Sequence, residues 1–82
     1  MKIHKYRLYE MEGTEVIESF QGAKILSAGL DRDKQLCVWA IVDPMNSKKN
    51  LTVEVVFTGR APKECFEFVG TVTSDLVYHV FK

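Results

Sequence analysis

An unbroken run of seven apolar residues, from Leu36 to Val42, lies near the middle of this 82-residue chain. In a β-strand, successive side chains point to opposite faces of the sheet. The two faces of this strand would consist of Leu36, Val38, Ala40 and Val42 on one side and Cys37, Trp39 and Ile41 on the other. A strand that is apolar on both faces belongs inside a structure. The run therefore predicts a central strand that is covered by protein on both sides, or that meets another subunit on one side.

Alternating patterns predict six further strands. The clearest covers residues 51–58, where Leu51, Val53, Val55 and Phe57 would face a core and the residues between them, including Glu54 and Val56, would mostly face outward. The other predicted strands cover residues 2–9, 15–20, 24–30, 66–73 and 76–81. The turn at Gly13 suggests a hairpin between the first two strands. Phe66, Phe68 and Val72 would share one face of the sixth, with a close contact at Gly70.

Seven short strands at near-regular spacing predict a mainly β fold, either a small antiparallel β-sandwich or a partly open barrel. At most one short helical turn is expected, near residues 62–66, because proline suits the first position of a helix. The sequence has no stretch of about 10–15 residues with the helical periodicity that a βαβ unit needs. An α+β fold with one short helix is the alternative. The length fits a single domain over residues 1–82.

Composition narrows the classes of partner and location. Eleven basic and eleven acidic residues give zero formal charge, which argues against a nucleic-acid partner because phosphate contacts need a basic surplus. No apolar stretch approaches the roughly 18–20 residues that span a membrane, and the first residues lack the apolar core of a signal peptide. Two cysteines, Cys37 and Cys65, allow one disulfide but not a dense disulfide framework. We therefore expect reduced thiols in a cytoplasm.

No catalytic motif is visible in the sequence: neither a GxSxG elbow, nor a phosphate-binding loop, nor HExxH. His4 and His79, the two histidines, lie on the first and last strands, which would be neighbours in a closed sheet. No ligand spacing surrounds them, so we expect no metal and no cofactor. A hydrolase using Cys65 and His79 would need a lowered thiol pKa, and a packed, hydrogen-bonded His79 is the simpler interpretation. We expect a protein that is not an enzyme.

Basic residues in the loops are the candidate ligand contacts. Thr58, Gly59 and Arg60 combine a hydroxyl, a flexible backbone and a planar guanidinium, which together suit a phosphate or a carboxylate. The full candidate set for an anionic ligand is Thr58, Gly59, Arg60, Lys48, Lys49 and Lys63. The alternative is that these are ordinary loop charges exposed to solvent. Residues 31–34, at a predicted hairpin tip, are interpreted in the same way. That tip lacks the glycine and glutamate of a calcium loop.

The strands that are apolar on both faces are the candidate subunit contacts. Trp39 is either such a contact or part of the core, and a ligand-binding role is the alternative. The candidate interface residues are Trp39, Ile41, Val77, His79 and Phe81.

Several short stretches together resemble a family of small bacteriophage proteins without assigned activity. They are Lys5-Tyr6 and residues 22–27 (GAKILS), 39–44 (WAIVDP), 58–59 (TG), 68–72 (FVGTV) and 77–81 (VYHVF). The resemblance spans nearly the whole chain and implies a phage or prophage origin and a place in the host-cell cytoplasm. It supplies no catalytic residues.

The resemblance and the residues together lead to two expectations of function. The first is a non-enzymatic phage accessory protein, forming a homo-oligomer, that binds and inhibits a host factor or sequesters a small anionic, nucleotide-type defence signal. The alternative is a structural component of the virion or tail, or a protein–protein adaptor.

Overall fold

Seven β-strands and no helix make up the computed structural model of the protein, which describes residues 1–82. The strands are β1 (Lys2–Arg7), β2 (Gly13–Phe20), β3 (Lys24–Leu30), β4 (Leu36–Val42), β5 (Lys48–Phe57), β6 (Phe68–Thr73) and β7 (Val77–Phe81). The number of strands confirms the prediction. The helical turn at residues 62–66, which was the most helix expected, does not form.

The strands form two antiparallel sheets that pack face to face. One has three strands in the order β1-β4-β3, and the other has four in the order β2-β5-β7-β6. Their inner faces enclose one core, whose fully buried valines are Val38, Val42, Val53, Val55 and Val80. The sequence left a choice between a sandwich and a partly open barrel, and the structure is a sandwich.

Strand β4 occupies the centre of the three-stranded sheet, between β1 and β3. Its inner side chains, Leu36, Val38, Ala40 and Val42, are all buried in the core. On the outer side Cys37 is buried, while Trp39 and Ile41 are partly buried. The strand is apolar on both faces as predicted, but within one chain only the inner face is enclosed by a second sheet.

The predicted hairpin between the first two strands is wrong. Strand β1 pairs with β4 and β2 pairs with β5, so the two strands lie in different sheets. For the same reason His4 and His79 are not on neighbouring strands, because β1 and β7 also belong to different sheets. Residues 2–20 instead form an arch whose two arms face each other across the sandwich.

Side-chain contacts hold this arch together. The Tyr6 and Ser19 hydroxyls are 2.8 Å apart, and the His4 and Phe20 ring centroids are 6.1 Å apart. The Glu15 carboxylate accepts the backbone N–H groups of the two residues that follow Leu8, at 2.6 and 2.8 Å. A turn was correctly predicted here, but its arms contact each other through side chains and not through a hydrogen-bonded ladder.

Strand β6 begins two residues later than predicted, and Phe68 and Val72 do not share one face as predicted. A register shift between Phe68 and Gly70 turns Phe68 outward, while Val72 remains in the core. Phe66 lies before the strand and is 70% exposed. The predicted close contact at Gly70 is confirmed: a Cβ atom there would lie 3.9 Å from the Cβ of Ala28 on β3.

Asp31 organises the tip between β3 and β4, which was expected to be only a solvated loop. Its carboxylate accepts the backbone N–H groups of Asp33 and Gln35, both at 2.9 Å, and the Lys5 ammonium at 3.0 Å. The Gln35 N–H, followed by Lys5, lowers the pKa of Asp31 from 3.8 to about 2. The charged loop therefore fixes the tip and ties it to β1.

Asp31→Asn is expected to remove part of the acid sensitivity of folding. Because the pKa of Asp31 is lower in the folded protein than its ordinary 3.8, the carboxylate contributes stability that is fully present above pH 3.8 and is lost as the pH falls towards about 2. The difference in urea midpoint between the wild type and the variant should shrink across that range. A constant difference would show that the charge of Asp31 does not stabilise the fold.

Candidate functional site

Glu54 is a carboxylate on the outer face of β5 that is nevertheless 4% exposed. The segment 59–67 folds over it, and its oxygens accept the N–H groups of three consecutive residues. The distances are 2.9 and 3.1 Å from Lys63, 2.9 Å from Glu64 and 3.0 Å from Cys65. Glu54 faces outward as predicted, but protein covers it instead of solvent.

Two opposing effects set the pKa of Glu54. Burial alone would raise the pKa, because it penalises the charged form. The backbone N–H groups of Glu64, Cys65 and Lys63 outweigh burial, so the pKa of Glu54 lies below its usual value. The hydrogen bonds of the anionic Glu54 carboxylate therefore hold this loop in place.

The fixed loop forms one wall of a cleft of about 310 Å³. Arg60, Pro62 and Lys63 lie on the loop side, and Glu12 and Gly13 lie on the opposite side. Arg60 and Lys63 are exposed, and neither takes part in the two ion pairs of the structure. The volume is at the lower end of the range for small-molecule sites. The cleft therefore presents two unpaired cations on an anchored loop.

The structure separates the predicted ligand contacts into groups. Arg60 and Lys63 share the cleft, and Gly59, with φ +91°, makes the turn that leads into it. The Thr58 hydroxyl instead contacts His79 Nε2 at 2.7 Å. Lys48 and Lys49 begin β5, five to six residues before Glu54, over which Lys63 lies, so they are roughly 17–20 Å away along the strand. One small ligand cannot contact both groups within a single chain.

His79 is held between two hydroxyls. Its Nε2 contacts Thr58 and its Nδ1 contacts the Thr71 hydroxyl at 2.9 Å. Cys65 Sγ, in contrast, lies 3.7 Å from the backbone carbonyl of Thr52 and donates to it. The structure therefore does not pair Cys65 with His79.

Neither thiol has the environment of an activated nucleophile. Burial, reinforced by Glu54 and Glu64, raises the pKa of Cys65. Burial, reinforced by Asp31, raises the pKa of Cys37. A reactive thiol needs the opposite shift.

The candidate interface residues lie on two opposite surfaces. Trp39 and Ile41 are on the outer face of the three-stranded sheet, whereas Val77, His79 and Phe81 are on the outer face of the four-stranded sheet. A single flat contact cannot include all five.

Two further properties bear on the type of site. No three His, Cys, Asp or Glu side chains are grouped so that they could hold a metal ion. The structure contains no helix, and hence no helix that is long and apolar enough to cross a membrane.

Sequence reasoning missed the role of Glu54. The available signal was one glutamate within the apolar stretch of residues 53–57 (VEVVF). A carboxylate in such a position must find hydrogen-bond donors if protein covers it. Which segment supplies them depends on the tertiary structure.

The fold and the cleft define a two-sheet, all-β sandwich domain with a small cleft beside its larger sheet, lined by the cations Arg60 and Lys63 and by the carboxylates Glu12 and Glu54. The chain belongs to the family described as Domain of unknown function (DUF7352), whose model matches residues 1–82. Searches of curated proteins and of solved structures found no match.

Proposed function

We propose that this is a non-enzymatic binding protein that takes a small anionic ligand into the cleft between β2 and the 59–67 segment. The observation that carries the proposal is the pair of unpaired cations, Arg60 and Lys63, on a loop that Glu54 fixes. A fixed loop loses little conformational freedom when a ligand binds, which favours affinity.

The chemistry of the cleft favours a phosphate or carboxylate that also carries hydrogen-bond donors. The Arg60 guanidinium suits a two-point contact with such an anion, and Lys63 adds a second charge. Glu12 on the opposite wall would accept from a hydroxyl or amine of the ligand. Glu54 is already saturated by backbone N–H groups, so it repels an incoming anion less than a free carboxylate would.

The sequence resemblance extends the proposal to a biological setting. In a phage or prophage protein acting in the host cytoplasm, a site of this kind would sequester a nucleotide-type defence signal, or would bind and inhibit a host factor. The protein would act as a homo-oligomer.

The alternative function is an adaptor or a structural component of the virion or tail. Large apolar side chains exposed on and around the four-stranded sheet favour it, notably Phe66, Phe68 and Leu76. Scattered apolar residues are normal on protein surfaces, but grouped ones often mark a partner site.

The proposal predicts a loss of binding that depends on the position of the removed charge. Inorganic phosphate and a panel of mono-, di- and cyclic nucleotides are tested by thermal shift, since a bound ligand raises the unfolding temperature, and then by calorimetry. Arg60→Ala combined with Lys63→Ala should weaken binding by at least about tenfold, because each charge-assisted contact contributes roughly 1.5–3 kcal/mol.

Lys48→Ala combined with Lys49→Ala is the matched control. It removes the same charge at the far end of β5 and should leave the affinity unchanged. Equal loss in both double variants would indicate non-specific attraction, and no response to any member of the panel would contradict an anion site.

A further inference from the structure

A second cleft opens at one end of the sandwich, between its two sheets, and we name it the end cleft. The smaller sheet contributes the end of β1, with Leu8 and Tyr9 after it, and the tip between β3 and β4. The larger sheet contributes Ser74, in the turn between β6 and β7, and Tyr78 on β7. The end cleft shares no lining residue with the cleft between β2 and the 59–67 segment.

The interior of the end cleft is apolar. Leu8 and Leu36 are 4% and 7% exposed, and Leu30 is partly buried. Tyr9 and Met11 also line the cleft but are more than half exposed, which places them at its mouth. The volume is about 160 Å³, and an apolar cavity of roughly 150 Å³ can hold one benzene ring. The end cleft therefore has room for a single six-membered ring.

Tyr78 supplies a free hydroxyl to the end cleft. The residue is 6% exposed, and the centroids of the Tyr78 and Phe57 rings are 5.5 Å apart. Its hydroxyl has no hydrogen-bond partner in the protein, whereas every polar side-chain atom that is sealed from solvent has one. The hydroxyl is therefore open to a space, and the end cleft is the only cleft that Tyr78 lines. Because a buried phenol usually has a hydrogen-bond partner, this one is available to a ligand.

Two cations and no carboxylate line the end cleft. Arg7 and Lys34 are exposed, and neither takes part in an ion pair of the structure. The Arg7 guanidinium lies 4.8 Å from the centroid of the Tyr9 ring, at the mouth. The Glu15 carboxylate also contacts this part of the chain, but it already accepts the N–H groups of Tyr9 and Glu10 at 2.6 and 2.8 Å. The charges at the mouth therefore favour an anion.

The backbone of Lys34 has an unusual conformation that its neighbours fix. Its φ is +62°, in the left-handed region that lysine seldom adopts. The Lys34 N–H donates to the Asp31 carbonyl at 3.0 Å, and the Asp31 carboxylate accepts the N–H groups of Asp33 and Gln35 on either side. This turn holds Lys34 beside the cleft, in a conformation that costs asparagine less than lysine.

We propose that the end cleft binds a small aromatic carboxylate whose ring carries a hydrogen-bonding group opposite the carboxylate. The ring enters among the leucines, the carboxylate stays at the mouth with Arg7 and Lys34, and the second polar group reaches the Tyr78 hydroxyl. A neutral aromatic compound would leave both cations without a partner. This site goes beyond the proposed function, because it takes a different class of ligand and uses none of the same residues.

Four probes separate the parts of this recognition: para-hydroxybenzoate, benzoate, benzyl alcohol and acetate. Each is titrated to millimolar concentration into isotope-labelled protein, and amide chemical shifts are followed. We expect para-hydroxybenzoate to give saturable shifts at Lys34, Gln35 and Ser74. Benzoate should bind roughly two- to tenfold more weakly, since it lacks one hydrogen bond. Benzyl alcohol lacks the charge and acetate lacks the ring, so each should bind at least about tenfold more weakly.

Two variants test the residues. Tyr78→Phe removes only the hydroxyl from the buried ring, and it should make the affinities for benzoate and para-hydroxybenzoate equal. Arg7→Gln combined with Lys34→Asn removes both cations, and asparagine suits the left-handed backbone. This double variant should bind para-hydroxybenzoate at least about tenfold more weakly. Lys48→Gln combined with Lys49→Gln is the matched control and should bind like the wild type.

Three results would overturn the proposal: no saturable shift at the end cleft, equal binding of benzyl alcohol and para-hydroxybenzoate, or a preference for para-hydroxybenzoate that persists in folded Tyr78→Phe. Arg60→Ala combined with Lys63→Ala should bind para-hydroxybenzoate like the wild type, because it alters only the other cleft. A loss of binding in that variant would place the carboxylate beside the 59–67 segment and would also overturn the proposal. Failure of either site is therefore distinguishable from failure of the other.

Discussion

Glu54→Ala is expected to destabilise the protein by about 2–4 kcal/mol, since it leaves three backbone N–H groups without their acceptor and each such loss costs roughly 1–3 kcal/mol. The loss is less than the full sum because the freed loop can reach water. Small domains have only about 5–15 kcal/mol of stability. Urea unfolding monitored by circular dichroism measures the difference.

Glu64→Gln is the matched control for this substitution. Its side chain is exposed on the same loop, and only its backbone N–H contacts Glu54. It should change the free energy of unfolding little. A loss equal to that of Glu54→Ala would mean that any change in this loop destabilises the fold.

The same carboxylate should give a recognisable pH dependence. The pKa of Glu54 is lowered from 4.5, since the N–H donors outweigh burial. Its contribution is therefore present above pH 4.5 and is lost as the pH falls through the pKa of the folded protein. Glu54→Gln should lack this part of the acid response. It should also weaken ligand binding if Arg60 and Lys63 depend on the loop for their positions.

Val38→Asp is expected to abolish folding. Val38 is fully buried between the sheets, and an unpaired buried carboxylate costs several kcal/mol, comparable to the whole stability of a small domain. Near-ultraviolet circular dichroism and dispersed amide resonances should both be lost at neutral pH.

Ile3→Asp tests whether the effect depends on position. The same aspartate then lies on the solvent side of the same sheet, next to Ile41. The variant should remain folded, and a reversed order of stability would contradict the assignment of inner and outer faces.

The local sequence pattern correctly predicted those features that depend on a single strand. The seven-residue run became β4 with the predicted faces, and the alternation from Leu51 to Phe57 became the inner face of β5. Both followed because the side-chain period of a strand is two, whatever its partners are. The ligand contacts were predicted less well, since Arg60 and Lys63 meet in one cleft but Lys48 and Lys49 lie far from it.

The errors share a physical origin. Adjacent strands often pair, so the arch of residues 2–20 was predicted as a hairpin. The sheet that each arm of the arch joins was decided by the residues that bury Tyr6 and Ile17, and those residues are distant in the chain. The loop over Glu54 was invisible for the same reason: a carboxylate in an apolar strand indicates that donors are needed, but not which segment supplies them.

The sequence by itself determined that the chain forms seven strands, their approximate positions and, except in β6, which of their faces are apolar, because these follow from the chemistry of neighbouring residues. Only the tertiary structure decided the order of strands, the anchoring of the 59–67 segment and the meeting of Arg60 and Lys63 in one cleft. Those features depend on contacts between residues far apart in the chain, whose free energies are decided jointly by the packing of both sheets.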